Sequence, residues 1–487
     1  VRGSAGASTP TTRSADPAGG AGGVRGRRSS ADTSTARADA PRAPRAANGQ
    51  TVEAVDAAQT DEHAPGDRSG RTPGDDPTVV DLLVPAEGVP PLVTDRDALA
   101  DTAARLAAGT GPVAVDAERA SGYRYSARAY LVQLRRAGAG SFLVDPIACD
   151  GDLTPLDEAL RGVEWVLHAA SQDLACLAEV GMHPDRLFDT ELAGRLVGYP
   201  RVGLGPLTEN LLGVRLQKGH GAADWSRRPL PAEWLTYAAL DVELLVELRD
   251  AVAADLERQG KTVWAEQEFE AVRLAAPPPP RAEPWRRTSG LHKVRRPAAL
   301  AVVRELWESR DTLAAARDIA PGRLLPDGAI VDAALREPSR RDDLVAMPVF
   351  RGRAQRRLAD RWWSAIERAR ALPRDRWPAT AAPPDGPPPA HRWGDKDPAA
   401  AARLAAARAA LAELSEETGT PVENLLTPDL VRRLCWSPPE RATPDAVRTA
   451  LATLGARPWQ AELTAPRLAE ALTAQPAQPA QTSADAG

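Results

Sequence analysis

Three apolar runs constrain this chain more than any other feature. PVAVDAER (112–119), YLVQLRR (130–136) and GSFLVDP (140–146) follow one another across connections too short to hold a helix. Strands joined that closely pair antiparallel, so the spacing predicts a meander. PPLVTD supplies a short strand ahead of it, and residues 96–108 read as a helix. The strand EWVLHA, the helix SQDLACLAEVG, the strand RLFDT and helices through residue 258 come after it. A meander followed by alternating strands and helices predicts an α/β domain, a mixed sheet with helices on its faces.

At 487 residues the chain has room for two or three domains. Residues 1–77 hold almost no large apolar side chain and cannot offset their ordering entropy, so a disordered tail is expected there. The α/β domain is assigned to 78–260. APPPPRAEP (276–284), with its run of prolines, and ATAAPPDGPPPA (379–390) read as linkers. They bound two modules that are helical by period, 285–372 and 398–474. APGRLLPDGAIVDA in the first resembles TPVENLLTPDLVRRL in the second, each with Leu-Leu ahead of a proline that can open a helix, which points to a repeated unit. The formal net charge is −5, yet residues 286–370 carry 19 Lys+Arg against 11 Asp+Glu, so basic charge is concentrated in the first helical module. Cys149, Cys176 and Cys435 lie at spacings that fit neither a disulfide framework nor a zinc site. With no run long enough to span a membrane and no apolar leader core, a cytoplasmic protein without membrane contacts is expected.

Four acids stand in apolar contexts where an unpaired carboxylate would be costly: Asp116 and Glu118 in VAVDAER, Asp173 in HAASQDL and Asp241 in YAALDVELL. Positions i and i+2 of a strand face one way, so Asp116 and Glu118 share a face. Tyr237 and Asp241, at i and i+4, share a helix face. Asp173 opens a helix that follows a strand, where the helix dipole favours an acid and where open α/β sheets place ligands. Four carboxylates without a neighbouring His or Cys suit hard cations, Mg²⁺ or Mn²⁺, and a pair of such ions can clamp the oxygens of a phosphodiester displacement while a phenol orients water. His168 reads as a hydrogen-bonded residue at a strand end rather than a ligand.

The set VAVDAER, HAASQDL and YAALDVELL resembles the three motifs of the DEDD-type 3′–5′ exonucleases with tyrosine in the third motif, and within them the ribonuclease D family. YLVQL, LFDTELAGRLVG and LQKGHGAADWSRRPLP resemble the family's flanking segments, so that the likeness runs over about residues 90–258. It implies a ribonuclease H-like fold and a catalytic set of Asp116, Glu118, Asp173, Tyr237 and Asp241. The four acids would hold two divalent cations and Tyr237 would position the water. It further implies Gln133, Lys218, Trp225 and Arg228 beside the nucleic-acid strand. The sequence departs from the family pattern at Ala169, where glycine is usual, and at Gly219 and His220, in a stretch that is usually polar; His220 could touch phosphate. LAVVRELWESRDTLAAARDIAPGRLLPDGAIVDAAL resembles the HRDC domain, a small nucleic-acid-binding helical bundle that also occurs in RecQ-type helicases, and the last module resembles a second HRDC-like domain in which Trp436 and Trp459 read as core anchors.

The implied activity is metal-dependent 3′–5′ trimming of RNA from a single-stranded 3′ end, tRNA and other structured precursors included, by a monomeric enzyme. Two alternatives stay open. One is a DNA 3′–5′ exonuclease of proofreading or helicase-associated type, since metals meet phosphate and not sugar. The other is a catalytically silent nucleic-acid adaptor, against which the intact acid set argues.

Overall fold

The expected meander is present, and it forms the middle of a larger sheet. A computed structural model describes residues 79–217, 219–381 and 386–473; the tail predicted over 1–77 and part of the second linker lie outside the described residues. The strands are β1 (Val80–Leu82), β2 (Leu92–Val93), β3 (Thr110–Arg119), β4 (Ala129–Ala137), β5 (Gly140–Val144), β6 (Glu164–Leu167), β7 (Arg186–Asp189) and β8 (Val214–Leu216). Six of them form one mixed sheet in the order β2-β5-β4-β3-β6-β7. The β3–β4 and β4–β5 pairs are antiparallel, and β2–β5, β3–β6 and β6–β7 are parallel. A second, two-stranded sheet pairs β1 with β8, a pairing that three-residue strands give too little periodicity to predict.

Both faces of β3 and β4 are covered. On one, Val113, Val115 and Ala117 pack with Val132 and Leu134 into the main core. On the other, Leu131 and Leu143 lie beneath the Ala232–Glu243 helix together with Trp225, Ala238 and Ala239. Asp116 and Glu118 project to this second face. The Arg96–Ala108 helix has its predicted bounds; Asp95 caps it by accepting from the Ala98 N–H at 2.8 Å, and Leu99 and Leu106 are buried along one side. The Thr262–Arg273 helix, which follows the expected domain, packs on the same sheet, with Phe269 against Phe188 of β7 at a ring-centroid distance of 4.8 Å.

The two helical modules repeat one plan in constant register. Long helices Pro297–Arg317 and Pro398–Thr418 end in left-handed residues, Asp318 and Gly419. Short helices Pro321–Leu324 and Val422–Leu425 follow, then buried extended residues Leu325 and Leu426, then helices Asp327–Arg336 and Pro428–Trp436. This is the repeat that the two Leu-Leu fragments, each ahead of a proline, suggested.

Each module touches the α/β unit. From the first, Asp318 accepts from the Ser126 N–H (2.8 Å) and the Tyr130 hydroxyl (3.4 Å), and Asp311 accepts from the Tyr125 hydroxyl (3.1 Å). Ala320 N–H donates to Tyr123 (2.9 Å), and Arg323 donates to the Gly122 carbonyl (2.7 Å) and covers the Tyr123 ring. The second module joins the main core itself, through Leu414, Leu425 and Trp459. Trp459 stacks on Trp264 with centroids 4.6 Å apart and donates its indole N–H to Glu268. The buried Lys261 ammonium donates to the carbonyls of Leu196 and Thr418, both at 2.7 Å.

Candidate active site

β3, the turn after β6 and the Ala232–Glu243 helix bring the acids together. Carboxylate oxygens of Asp116, Glu118 and Asp241 lie within 4.8 Å of one another, and no other group of three or more His, Cys, Asp or Glu among the described residues is so arranged. The Tyr237 hydroxyl donates to Asp241 from one turn away on the same helix face. Asp173 lies close enough for its charge to act on Glu118 and Asp241, but its carboxylate faces Arg119, with N···O 3.6 Å. Arg119, which the motif reading passed over, is the adjacent positive charge. Asp173 stands at the N-cap of the Leu174–Glu179 helix and makes no capping hydrogen bond, so Arg119, not the helix end, engages this acid.

The electrostatics are those of a site short of positive charge. Burial, then the charges of Asp116, Asp241 and Asp173, push the Glu118 carboxyl up to about 10. Burial raises Asp116, and burial with the Asp116 charge raises Asp173 and Asp241 well above the carboxylate range. Tyr237 is raised as well, by burial and then by Asp241 and Glu118, so it stays a protonated phenol. Four crowded carboxyls, all oxygen donors, against one guanidinium fit hard divalent cations.

The turn ahead of Asp173 gives Ala169 its meaning. Ala169 lies in the left-handed region (φ 60, ψ 50), where a residue without Cβ is at ease and alanine is strained by about 1–2 kcal/mol. Asp189 holds the strained turn by accepting from the N–H groups of Ala169 (3.0 Å) and Ala170 (2.9 Å), while capping the Thr190–Val197 helix through Glu191 and Leu192. Its position just before TELAGRLV was the readable cue for a cap. His168 is no ligand of the acid cluster. The Thr190 hydroxyl donates to the Leu167 carbonyl, so it accepts from His168 Nδ1–H at 2.9 Å, and burial lowers the imidazole to about 4.

The strand contacts implied at Gln133 and Trp225 need correction. Both side chains are 0% exposed, packed between the sheet and the Ala232–Glu243 helix, and neither can meet a strand at the surface. Arg228 is committed as well: it grips buried Asp145 with two 2.7 Å bonds and donates to the carbonyls of Tyr130 and Trp225, fastening the 225–228 segment to the sheet. Lys218 lies outside the described residues. His220 sits edge-on to Tyr237, centroids 5.8 Å apart, where the loop around 219–221 passes over the phenol.

Comparison with known proteins agrees with this geometry. Family models match in three stretches: a 3′–5′ exonuclease over residues 90–257, the HRDC domain over 299–366, and a 3′ to 5′ exonuclease C-terminal domain over 386–472. Ribonuclease D of Zymomonas mobilis is 34% identical over 292 residues, 58% of this chain and 73% of that protein. The chain belongs to the ribonuclease D family. Ribonuclease D of Jannaschia sp. is 32% identical over 306 residues, 60% of this chain and 78% of that protein. Among solved structures, a protein from Bifidobacterium adolescentis is 39% identical with a TM-score of 0.75, covering 80% of this chain and 99% of that one. Escherichia coli RNase D, described as an exoribonuclease involved in structured RNA processing, is 25% identical with a TM-score of 0.56, covering 75% and 98%. The family fold is that of a metal-dependent nuclease and implies divalent cations. The third segment thus repeats the HRDC plan in its helices while matching a C-terminal family of its own. Among the described residues no helix is long and apolar enough to cross a membrane.

Proposed function

We propose that this ribonuclease D-family chain is a 3′–5′ exoribonuclease that trims single-stranded 3′ ends of RNA, structured precursors such as tRNA among them, releasing 5′-nucleoside monophosphates. The observation that carries the reading is the approach of Asp116, Glu118 and Asp241 beside Tyr237. In it, Asp116, Glu118, Asp173 and Asp241 hold two divalent cations, Mg²⁺ or Mn²⁺. Bound there, they would supply a water reactive at neutral pH and offset the charge that develops on the phosphate. Tyr237, kept protonated, orients the attacking water by hydrogen bonding and does not act as its base. Arg119, part-exposed beside Asp173, is available to a phosphate oxygen.

Domains over 78–260, 285–372 and 398–474 belong to the same reading, supported by the family matches and by the separate apolar clusters of the two helical modules. Arg351, Arg353, Arg356 and Arg357 of the HRDC module are exposed and suited to tracking an RNA backbone, and Lys218 is retained as a further contact from its motif alone. The setting is cytoplasmic, in keeping with three buried free cysteines, and the working unit a monomer, which sedimentation checks.

The test is digestion of end-labelled RNA, beside matched DNA, with and without Mg²⁺. A ladder shortening from the 3′ end of RNA only when Mg²⁺ is present is expected. Asp116→Ala and Asp241→Ala should abolish it while RNA binding in Ca²⁺ persists, and Tyr237→Phe should slow it without abolishing it. Normal digestion by either alanine variant would refute the assignment.

A further inference from the structure

Gln133 has no exposed surface, and neither its Oε1 nor its Nε2 has a hydrogen-bond partner. A carboxamide carries two donors and an acceptor, and leaving them unpaired in the interior costs about 1–3 kcal/mol. Its place on the sheet says what could use it. Gln133 is the cross-strand partner of Asp116 on the antiparallel β3–β4 ladder. Directly opposed residues on such a ladder project to one face with Cβ atoms about 4.5–5.5 Å apart, so the amide can reach the Asp116 carboxylate. Its strand neighbours on that face are apolar: Leu131, two residues back, and Leu143, its partner on β5, are both fully buried, and the nearby Trp225 indole can only donate, so it offers the amide N–H no acceptor. Arg135, next along the same face, is already engaged by Ser141 and Glu243. Above lies the helix that carries Tyr237 and Asp241.

We propose that Gln133 is a positioning residue of the metal site: its amide, unpaired in this structure, turns an N–H to the Asp116 carboxylate when cations occupy the site and so fixes the direction in which that carboxylate presents its free oxygen. The proposal rests on the reading of Asp116 as a metal ligand. A neutral donor is the apt choice. It orients the carboxylate without competing with the cation, as a lysine or arginine would, and without adding to the negative charge. Hydrogen-bonded partners of this kind set the affinity of a metal site although they never touch the metal.

The test uses the intact protein and two variants of similar size that lack the donor, Gln133→Met and Gln133→Leu. Mn²⁺ binding is measured by calorimetric titration at a temperature where each variant is folded, and thermal unfolding is followed in EDTA. Both variants should bind Mn²⁺ about 10-fold more weakly or worse. Their unfolding midpoints in EDTA should be unchanged or higher, because an unpaired buried amide has been removed. A loss of under about threefold in affinity overturns the proposal, the more so if the midpoint falls, since that is the mark of a merely structural residue. Asp116→Asn separates the two readings. If it binds Mn²⁺ like the unaltered protein, the assignment of Asp116 as a ligand fails. If it loses binding while both Gln133 variants keep it, only the role of Gln133 fails.

Discussion

Asp318 and Gly419 occupy the same position in the two helical modules, each closing the first long helix in the left-handed conformation, and each is where its module meets the nuclease. The contacts they make differ in kind. Around Asp318 the interface is polar: hydrogen bonds to the β3–β4 loop and one arginine over one tyrosine. Around Gly419 two backbones press together. A Cβ built on Gly198, itself at φ +97, would lie 2.0 Å from the Gly419 carbonyl oxygen. Beside that contact Thr420 donates to the Leu196 carbonyl, and stacked tryptophans carry the nuclease core into the module. Hydrogen bonds at a solvated joint each contribute about 0.5–1.5 kcal/mol, whereas burial of a tryptophan contributes several times that. One repeat has thus become part of the catalytic unit, and the other remains a module tied to it.

The difference can be broken by substitution. Trp459→Ala should have the largest effect, a loss of about 3–5 kcal/mol in urea unfolding, with the nuclease and the C-terminal module still melting together. If the nuclease kept its stability, the two would not share a core. Gly198→Ala should come next, at roughly 1–3 kcal/mol from the left-handed backbone alone, with the collision against Gly419 in addition. Differential scanning calorimetry should show the same single transition moved down. Asp318→Gly, which removes the carboxylate and is at ease in the left-handed backbone, should cost only about 1 kcal/mol and leave nuclease unfolding in place, while speeding proteolysis in the 276–284 linker. High salt should imitate it in the unaltered protein. The pH dependence follows from the Asp318 carboxyl. Burial raises it, but the Ser126 N–H and the charges of Arg128 and Arg124 outweigh burial and hold it below the usual range. The tie therefore stands at neutral pH and is lost as pH falls through that lowered value. Smallest of all, Ala169→Gly should relieve a strained turn and raise the shared transition by up to about 1 kcal/mol, leaving the HRDC module unmoved.

Much of this was legible in the chain. Short connections gave the meander, i,i+2 and i,i+4 spacing put the acids on common faces, and the paired Leu-Leu fragments ahead of a proline disclosed the repeat. What escaped depends on partners distant in sequence. Nothing local to YLVQL says that Gln133 lies under a helix formed a hundred residues later, or that Asp145 claims Arg228. Arg119 follows Glu118 in plain view, but its partner Asp173 is found only once β3 and β6 lie side by side. Ala169 was noted as a departure from the family pattern; only its φ shows the cost to be one of backbone and not of bulk.

The β3–β4 loop has a mechanical side. Arg119, Ala120 and Ser121 alone separate Glu118 from the Gly122 carbonyl that Arg323 holds. A polymer dragged across the HRDC arginines would load that short tether, and the strain would arrive at the strand end bearing two of the acids. The HRDC module and the acid-bearing strand are thus joined through a span of three residues.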